Sequence, residues 1–544
     1  MLTGLLNTTW LLSNLPHYWK TRWAFSNPEA AQEKVLKQIL HKNCHTEYGH
    51  KYGFRDIQDS TAFKNKLPVQ QYEDFSPWIR KIRSGGESIL TSESVNRLMP
   101  SSGSSSARKL IPYTKSLQQE FDRAIGSWIV DLFYRYPKLI GGQAYWSITP
   151  CLDEGEQEGS VPVGYEQDTR YLGGFKKFLV DSVMAVPSCL ADINDIDSFR
   201  YVTLLELLKC KNLRLISIWH PSFLILLMNT LALHWKSLLR DLNDGTISPP
   251  LPLPPALLKQ LKARPRKRRR NELDNIADLD PRKIWPKLEL ISCWGSGHAS
   301  GAINELRQCF PGIEIQQKGL IATEAFMSLP FGKDKANQDL HPLAINSHFF
   351  EFIDDNGNVE FASDIKEGKE YQVIVSTGGG LYRYAMNDRI RVNGFVGRTP
   401  SLDFIGKTDT VSDFYGEKLN DQFVARQLET LLLDLHKNIT FSMLAPDGVA
   451  RPENYTLYLE ADIHLCEDLS DRLEGKLQAN PHYDLCRQLG QLSKVRIFQV
   501  ASSANQEYLL ACKSEGKRLG DIKPIALSTR WDWSRVFTGT YLSE

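Results

Sequence analysis

The sequence lacks several features that would place it in a specialised class of protein. Its nine cysteines are scattered over 544 residues without a Cys-x-x-Cys pair, which is typical of reduced thiols in a cytosolic protein rather than of a disulfide framework. The formal net charge is only +1, so no overall field favours nucleic acid or an anionic membrane. We therefore expect a cytoplasmic globular protein, long enough for two or more domains.

A convincing membrane segment is also missing. One run, residues 215–235, has no Lys, Arg, Asp or Glu and is long enough to cross a bilayer. His220-Pro221-Ser222 interrupts it, so we predict a buried strand over 213–219, a turn, and a buried helix from Ser222. The N-terminal segment 1–16 has apolar side chains at helical spacing but no basic segment or cleavage site. It predicts an amphipathic helix packed on the protein rather than a signal peptide.

Two charged or metal-binding clusters suggest other partners, but neither is favoured. The basic run 264–270 is followed at once by four acidic residues, which is more typical of a solvated helix end than of a nucleic-acid site. His41, Cys44, His45 and His50 suggest zinc, yet they fall where a predicted helix ends and lack a regular ligand spacing. We expect no nucleic-acid partner and give the zinc site low weight.

The order of the predicted elements indicates an α/β fold. Helical patterns dominate the first hundred residues, and short apolar runs then alternate with helical patterns up to about residue 400, which places helices against sheets. A change in composition near 405–420 precedes a stretch long enough for a small α+β domain. The sequence thus predicts a large N-terminal domain of sheets flanked by helices (1–406) and a smaller, mobile C-terminal domain (407–544).

A run of small residues offers the first candidate site. Five serines and one glycine are followed closely by Lys109, and together they are Ser101, Ser102, Gly103, Ser104, Ser105 and Ser106. A glycine lets the backbone approach a ligand, and hydroxyl and N–H groups donate to phosphate oxygens. A flexible linker has the same composition, and the Walker pattern Gly-x-x-x-x-Gly-Lys-Ser/Thr is absent. From the run alone, both interpretations stay open.

Two glycine- or hydroxyl-containing segments later in the chain complement this run. Gly295, Ser296 and Gly297 follow a predicted strand, and glycines there allow a flat ligand ring to approach closely. Thr323 and Glu324 lie at the end of another predicted strand. A hydroxyl beside a carboxylate can bind a phosphate together with its Mg²⁺.

Two further segments add an acidic residue and cations. Tyr382 and Arg383 precede Asp388, and an acidic residue can accept both hydroxyls of a ribose, as in other nucleotide sites. Lys418 and Lys523 supply cations from the C-terminal part, where they can meet the charge that develops on a phosphate. Each signal is weak by itself.

The order and spacing of these segments resemble the adenylate-forming enzymes. More specifically, the chain is similar to the Gretchen Hagen acyl-acid amido synthetase family, which includes plant auxin- and jasmonate-conjugating enzymes and bacterial relatives. The resemblance covers nearly the whole chain and includes Thr-Glu-Tyr-Gly at 46–49, the segment 67–74, Trp-Pro-Lys-Leu at 285–288 and Gly-Asp-Ile-Lys-Pro at 520–524. It implies ATP and Mg²⁺ as cofactors, with a small carboxylic acid and an amine, expected to be an amino acid, as substrates.

The resemblance also implies roles for individual residues. The serine run with Lys109 corresponds to the phosphate loop, although Ser104 replaces a threonine and the second glycine is missing. Nucleotide-binding roles are implied for Gly295, Ser296, Gly297, Thr323, Glu324, Tyr382, Arg383, Asp388 and Lys407, and catalytic roles for Glu324, Lys418 and Lys523, with Glu324 on Mg²⁺. The family's Tyr-Arg-x-x-Asp pattern fits imperfectly, because four residues rather than two separate Arg383 from Asp388 unless Tyr384 fills the first position.

The implied reaction has two steps. A carboxylate attacks the α-phosphorus of ATP to give an acyl-adenylate and pyrophosphate, and an amine then attacks the acyl carbon and releases AMP. Two alternatives stay open, an acyl-CoA-type ligase of the same superfamily and a nucleotide-binding relative without catalysis. A serine hydrolase is disfavoured because no Gly-x-Ser-x-Gly motif is present.

Overall fold

The structure is a computed structural model that covers most of the chain. It describes residues 2–101, 109–147, 160–163, 182–219, 221–261, 264–276, 278–295, 300–334, 338–407, 411–412, 414–415, 417–433, 439–448, 452–461, 468–488, 490–501, 503–514, 522 and 525–542.

Helices dominate the first part of the chain and recur between the strands. Several begin at a side chain that accepts a hydrogen bond from the first turn, for example Thr46, Asp59, Thr114 and Asp195, which satisfies an otherwise unpaired N–H. The helices of the described chain are α1 (Leu2–Ser26), α2 (Pro28–Asn43), α3 (Glu47–Lys51), α4 (Ser60–Lys66), α5 (Tyr72–Arg83), α6 (Lys115–Arg135), α7 (Ile196–Lys209), α8 (Pro221–Asp244), α9 (Pro255–Leu261), α10 (Lys267–Asp274), α11 (Pro281–Ile284), α12 (Ser300–Cys309), α13 (Asp421–Leu433), α14 (Leu469–Leu477), α15 (Pro481–Gln488) and α16 (Ala504–Ser514).

The strands belong to three larger sheets and two short hairpins. In chain order they are β1 (Arg97–Ser101), β2 (Lys109–Tyr113), β3 (Gln143–Trp146), β4 (Leu213–Ser217), β5 (Leu290–Cys293), β6 (Glu314–Gln317), β7 (Phe349–Ile353), β8 (Val359–Phe361), β9 (Glu370–Ser376), β10 (Tyr384–Val396), β11 (Thr399–Lys407), β12 (Val411–Ser412), β13 (Leu419–Asn420), β14 (Ile439–Asp447), β15 (Asn454–Ala461), β16 (Arg496–Val500) and β17 (Gly539–Tyr541).

The first large sheet is parallel and has the order β3-β4-β5-β6. Its strands are short, the central strands β4 and β5 are almost entirely buried, and α7, α8 and α12 connect the strands along the chain, as expected for a sheet covered by helices. The predicted strand and helix in the long apolar run are confirmed as β4 and α8. Among the described residues, no helix is both long enough and apolar enough to cross a membrane.

The second large sheet is antiparallel and has the order β11-β10-β9-β7-β8. Its apolar face packs in one core with side chains of the N-terminal helices, including Phe63, Phe75 and Tyr48. The β1–β2 hairpin joins the same core through Leu98 and Ile111. This core therefore links the N-terminal helices to strands that lie far later in the sequence, from β7 onward.

The C-terminal part has a sheet of its own, in the order β14-β15-β16-β17. Strands β15 and β16 are parallel and the other neighbours are antiparallel. Two hydrophobic clusters on this sheet contain only residues from 415 onward. We keep the division at 406/407 as a proposed domain boundary, since each part buries its own apolar side chains.

Candidate active site

The serine-rich run connects the two strands of a hairpin. Strands β1 and β2 pair in antiparallel register, and Ser101 lies opposite Lys109 where the hairpin opens. Ser102, Gly103, Ser104, Ser105 and Ser106 lie outside the described residues. Since the two ends of the run are joined by strand pairing, its place in the fold is that of a hairpin loop and not of a linker between domains.

Lys109 lies in a buried environment at the foot of this loop. Its side chain is mostly buried, and its Nζ is 5.9 Å from the ring centroid of Tyr72. The hydroxyl of Tyr72 accepts a hydrogen bond of 2.6 Å from the backbone N–H of Leu110. Burial raises the pKa of Tyr72, and the negative charges of Glu73 and Glu324 raise it further. Tyr72 thus lies close enough to both Lys109 and Glu324 to bring the loop and the carboxylate into one region.

Thr323 and Glu324 form the tip of a tight turn. The backbone N–H of Ala322 donates to the carbonyl of Ala325 at 3.0 Å, and Ile321 pairs with Phe326. The sequence prediction that Thr323 and Glu324 end a strand is wrong, because strand β6 ends earlier, at Gln317.

The base of this turn, where its two arms approach each other, requires a glycine at position 319. A Cβ atom on Gly319 would lie 2.1 Å from the carbonyl oxygen of Ser328, a distance that no side chain tolerates. The hydroxyl of Ser328 also accepts a hydrogen bond of 2.9 Å from the N–H of Leu320. The two arms of the turn therefore run close together at its base.

The side chain of Glu324 is mostly buried, but its carboxylate is not tied to any other described residue. The residue is only 6% exposed, yet among the described residues none donates a hydrogen bond to it or forms an ion pair with it. A buried charge without a partner is costly, and such groups are retained mainly where a ligand or ion completes the site. Glu324 is therefore the strongest functional candidate on the described chain.

A buried histidine and glutamate hold the Glu324 turn in place. The N–H of Phe326 donates to Nε2 of His348 at 3.0 Å, so Nε2 carries no proton and Nδ1 donates to Glu120 at 2.8 Å. Glu120 also accepts a hydrogen bond of 2.8 Å from the N–H of Gly378. This Glu120–His348 pair ties the turn to α6 and to the glycine loop after β9. Sequence reasoning missed both residues, because neither belongs to a recognisable motif.

Gly295 lies at the carboxyl end of the parallel sheet, where ligands of α/β proteins commonly bind. A Cβ on Gly295 would approach Ile303 and Gln317 to 3.1 and 3.2 Å, so the glycine permits close packing of neighbouring segments. At the same edge the Nζ of Lys318 lies 4.9 Å from the ring centroid of Trp219. Ser296 and Gly297 lie outside the described residues.

Tyr382 lies in the core of the protein. Its side chain is fully buried, its hydroxyl donates to the carbonyl of Leu90 at 2.5 Å, and its ring stacks on Tyr48 with centroids 4.9 Å apart. Burial raises the pKa of the Tyr382 phenol. These contacts leave the hydroxyl donor engaged, and they argue against a direct contact with nucleotide.

The guanidinium of Arg383 is likewise engaged by protein groups. Its Nε donates to Glu351 at 2.9 Å, and its Nη1 donates to the carbonyl of Lys64 at 2.8 Å and to that of Leu67. Its backbone has φ of +49°, a conformation that non-glycine residues rarely adopt. The structure thus places the guanidinium between α4 and the antiparallel sheet, and not among the residues around Glu324.

Asp388 and Lys407 lie on two adjacent strands, at paired positions. They are directly opposed in the register of β10 and β11, and Asp388 is buried. A bulge between Ala385 and Arg389 interrupts the pairing with β9, and bulges often redirect side chains beside active sites. The side chain of Lys407 is not among those described. The register nevertheless brings these two sequence candidates together.

Lys418 extends from a strained and firmly held segment. It is exposed and has φ of +46°. The neighbouring Glu417 is fully buried and accepts hydrogen bonds from the N–H groups of Phe414 at 3.0 Å and Tyr415 at 2.8 Å, and from the hydroxyl of Tyr455 at 2.6 Å. Such strain persists only where the surroundings impose it. Lys523 lies outside the described residues.

Family models match the chain in three consecutive parts. The GH3 family N-terminal domain matches residues 21–315, the GH3 family central domain 341–407, and the GH3 family C-terminal domain 421–530. The chain belongs to the GH3 family. Among the most similar curated GH3 proteins, indole-3-acetic acid-amido synthetase GH3.4 of Arabidopsis thaliana is 26% identical, over 80% of this chain and 76% of its own. Indole-3-acetic acid-amido synthetase GH3.8 of Oryza sativa subsp. indica is also 26% identical, with the same coverage.

Solved structures agree with this GH3 assignment at the level of the fold. The acyl acid amido synthetase AtGH3.15 in complex with 2,4-DB superposes with a TM-score of 0.84 over 98% of both chains, at 20% identity. A 2-hydroxyisobutyryl-CoA ligase in its postadenylation state superposes with a TM-score of 0.52 over 93% of this chain and 90% of its own, at 11% identity. The predictions of the family, of the adenylate-forming α/β fold and of an amido synthetase class of ligase are confirmed.

Proposed function

We propose that this GH3 protein uses ATP to adenylate a small carboxylic acid and then transfers the acyl group to an amine, most simply that of an amino acid. The observation that carries the proposal is the carboxylate of Glu324, on a mostly buried side chain that no described residue pairs and within the electrostatic reach of Tyr72. Family membership supplies the reaction class, and the named activity of the curated relatives supports amide formation.

The donor set around Glu324 fits a divalent cation. Mg²⁺ prefers oxygen ligands and is usually held by one or two carboxylates together with substrate phosphates, and Glu324 offers such a carboxylate without a competing cation among the described residues. When bound, Mg²⁺ would neutralise phosphate charge. We propose Glu324 as its protein ligand and Thr323, next to it at the tip, as a hydroxyl donor to phosphate.

Different residues of the chain would then have different roles in the adenylation step. Lys109 and the serine-rich run would bind phosphate oxygens, because hydroxyl and N–H groups of small residues donate to phosphate. Asp388 would accept the ribose hydroxyls, with Gly295 to Gly297 beside the base. Lys407, Lys418 and Lys523 would supply cations as negative charge is redistributed on the phosphates. We assign Tyr382 and Arg383 to the scaffold and not to ligand contact.

The second step needs a change of nucleophile and protection of the adenylate from water. We propose that the C-terminal part, 407–544, moves between the steps, as mobile domains and lids commonly do to exclude water. The strained backbone at Lys418 and the buried Glu417 next to it would give that part a rigid attachment for its lysine. A positioned side chain that takes the proton from the attacking amine has no candidate among the residues described here.

The decisive experiment is ATP–pyrophosphate exchange by the purified protein with Mg²⁺ and a panel of indole, benzoate and fatty acids. We expect one class of acid to stimulate exchange, and Glu324→Gln to remove it while Glu367→Gln, at an exposed turn, leaves it unchanged. No exchange with any acid despite ATP binding would favour a relative without catalysis. Mass spectrometry of products formed with amino acids or with coenzyme A then separates amide from thioester formation.

A further inference from the structure

Helix α1 places polar side chains inward. Its buried residues are Asn7, Trp10, Asn14, Tyr18, Thr21, Ala24 and Phe25, so three of the seven are polar, and these three recur at every seventh position. Asn7 donates to the carbonyls of Ile140 and Gly142, both at 2.9 Å, and Thr21 is 2.7 Å from the hydroxyl of Ser127. Hydrogen bonds thus hold much of this helix to the body of the protein.

The opposite side of the same helix is apolar. Its exposed large side chains, which we call the outer face of α1, are Leu2, Leu5, Leu12, Trp19 and Trp23. At 100° per residue they lie within one sector of the helix. Leu5 and Trp19 are 65% and 62% exposed. An exposed apolar stripe of this kind marks an interaction surface far more often than scattered single residues do.

The charged side chains that α1 itself carries have one sign. Lys20 and Arg22 are exposed next to Trp19 and Trp23, and the helix contains no Asp or Glu. Trp and basic side chains together favour the headgroup region of a bilayer, where the indole meets the apolar boundary and the cations meet anionic lipid. The near-neutral net charge of the whole chain does not prevent this local attraction to anionic lipid. Salt screens charges beyond about a Debye length, roughly 8 Å at physiological salt, so only charges near the outer face act on the membrane.

The size of the outer face disfavours a second copy of the chain as its occupant. A helix of 25 residues is about 38 Å long, so a strip about 10 Å wide offers on the order of 400 Å². A stable protein interface buries about 800 Å² on each partner. Self-association through α1 would also provide no acidic side chain from the helix to neutralise Lys20 and Arg22. A bilayer needs only that apolar side chains enter its boundary while the helix lies parallel to the surface.

We propose that the outer face of α1 binds peripherally to an anionic lipid membrane, with Trp19 and Trp23 entering the headgroup boundary and Lys20 and Arg22 contacting lipid phosphates. The helix lies on the membrane and does not cross it. This inference is independent of the proposed adenylation, because no residue of the outer face belongs to the candidate active site.

The test is cosedimentation of the full chain with vesicles. We expect it to bind vesicles of phosphatidylcholine and phosphatidylglycerol in equal parts, to bind phosphatidylcholine vesicles weakly, and to lose affinity as salt is raised. The double variant Trp19→Gln, Trp23→Gln should lower the partition coefficient by about tenfold or more, since two interfacial anchors are removed. Lys20→Glu with Arg22→Glu should abolish the preference for anionic vesicles.

Exposed apolar residues elsewhere provide the matched control. Leu485→Gln with Leu510→Gln changes two side chains of similar exposure, 51% and 52%, on α15 and α16, and should leave vesicle binding unchanged. Absence of binding to the anionic vesicles, or equal binding by the tryptophan variant, would overturn the proposal. So would a dimer in solution that dissociates in the tryptophan variant, because a second copy would then be the occupant. Circular dichroism of every variant checks that the fold is retained.

Discussion

Two buried glutamates of this protein occupy contrasting surroundings. Glu351, on β7, is 1% exposed and accepts a hydrogen bond from Arg383 at 2.9 Å. Burial raises its pKa, and the charge of Arg383 opposes that rise. Glu324, on its turn, is 6% exposed and has no hydrogen bond or ion pair among the described residues. Two glutamates of similar burial therefore differ in role: Glu351 pairs with Arg383 and stabilises the fold, whereas Glu324 has no described partner and is the candidate for ligand binding.

The same contrast separates two sequence motifs that looked equivalent. The Thr-Glu motif provides a carboxylate that no described residue pairs, whereas the Tyr-Arg motif has its polar atoms engaged by backbone carbonyls and by Glu351. The difference teaches that a motif indicates function only where its polar atoms are left available. Substitutions at the two glutamates and at the residues that support them test whether the two carboxylates differ in role.

The largest expected effect is on stability, at Glu351. Glu351→Ala leaves the guanidinium of Arg383 buried without its carboxylate, and breaking a buried pair from one side costs about 3–5 kcal/mol in the free energy of unfolding. Denaturant unfolding of the variant and the wild type measures this cost. Glu360→Ala, a half-buried glutamate on the adjacent strand β8, is the control. A loss below about 1 kcal/mol would show that the pair does not hold the fold together.

The next effect is on activity, at Glu324. Glu324→Gln should lower acid-dependent pyrophosphate exchange by about 10²–10³-fold, the range seen when one preorganised group that stabilises transition-state charge is removed. The melting temperature should not fall, because no described residue pairs or hydrogen-bonds with the carboxylate. Normal exchange by this variant would remove Glu324 from the site. A large fall in melting temperature would mean that its role is structural, like that of Glu351.

A smaller effect is expected at His348, which supports the turn. His348→Leu removes the acceptor for the N–H of Phe326 and the donor to Glu120, and each unsatisfied buried group costs about 1–3 kcal/mol. His348→Gln can keep one donor and one acceptor and should recover part of the loss. We expect pyrophosphate exchange to fall more in the leucine variant, mainly through kcat. Equal kinetics in the two variants would show that His348 does not position Glu324.

Lys418 should affect activity with little effect on stability. Lys418→Ala is expected to slow exchange by about tenfold, and the melting temperature should change by no more than about a degree or two, as usual for an exposed substitution. Lys418→Gly should slow exchange similarly but relieve the cost of the positive φ. If the alanine variant exchanges at the normal rate, the lysine is not near the nucleotide in the first step.

Tyr382 should give the smallest effect. Tyr382→Phe removes the hydrogen bond to Leu90 and should cost about 1 kcal/mol, with exchange within about twofold of the wild type. Urea unfolding and exchange kinetics on the same preparation measure both quantities. A collapse of exchange in a stable Tyr382→Phe protein would place the hydroxyl on the nucleotide and contradict the assignment of this motif to the scaffold.

Much of the fold could be predicted because its signals are local. Strand β4 and helix α8 follow from one apolar run with a proline at the break, and the family resemblance agrees with the matched family models. Glu324 was also predicted locally, from its motif, and its role stays a prediction. Its turn was not found, because the turn depends on the close approach of Gly319 to Ser328, which is a tertiary contact.

The roles that sequence reasoning missed depend on distant partners. Arg383 meets the carbonyls of Lys64 and Leu67, which are 319 and 316 residues away in sequence, and no pattern around Arg383 reveals them. Glu120 and His348 are separated by 228 residues. The outward apolar face of α1 was likewise interpreted as packing, since a helical repeat of leucines does not tell which side of a helix meets the protein.

The large sequence separation between Arg383 and its hydrogen-bond partners also has a consequence for synthesis of the chain. The carbonyl of Lys64 is separated by 319 residues from the guanidinium that binds it, and at about 5–20 residues per second a ribosome needs roughly 15–60 s to supply that guanidinium. During that interval the nascent N-terminal helices lack the strands that complete their core. Growing chains that have not yet reached Arg383 should therefore depend on chaperones, and premature termination before that residue should give an insoluble product.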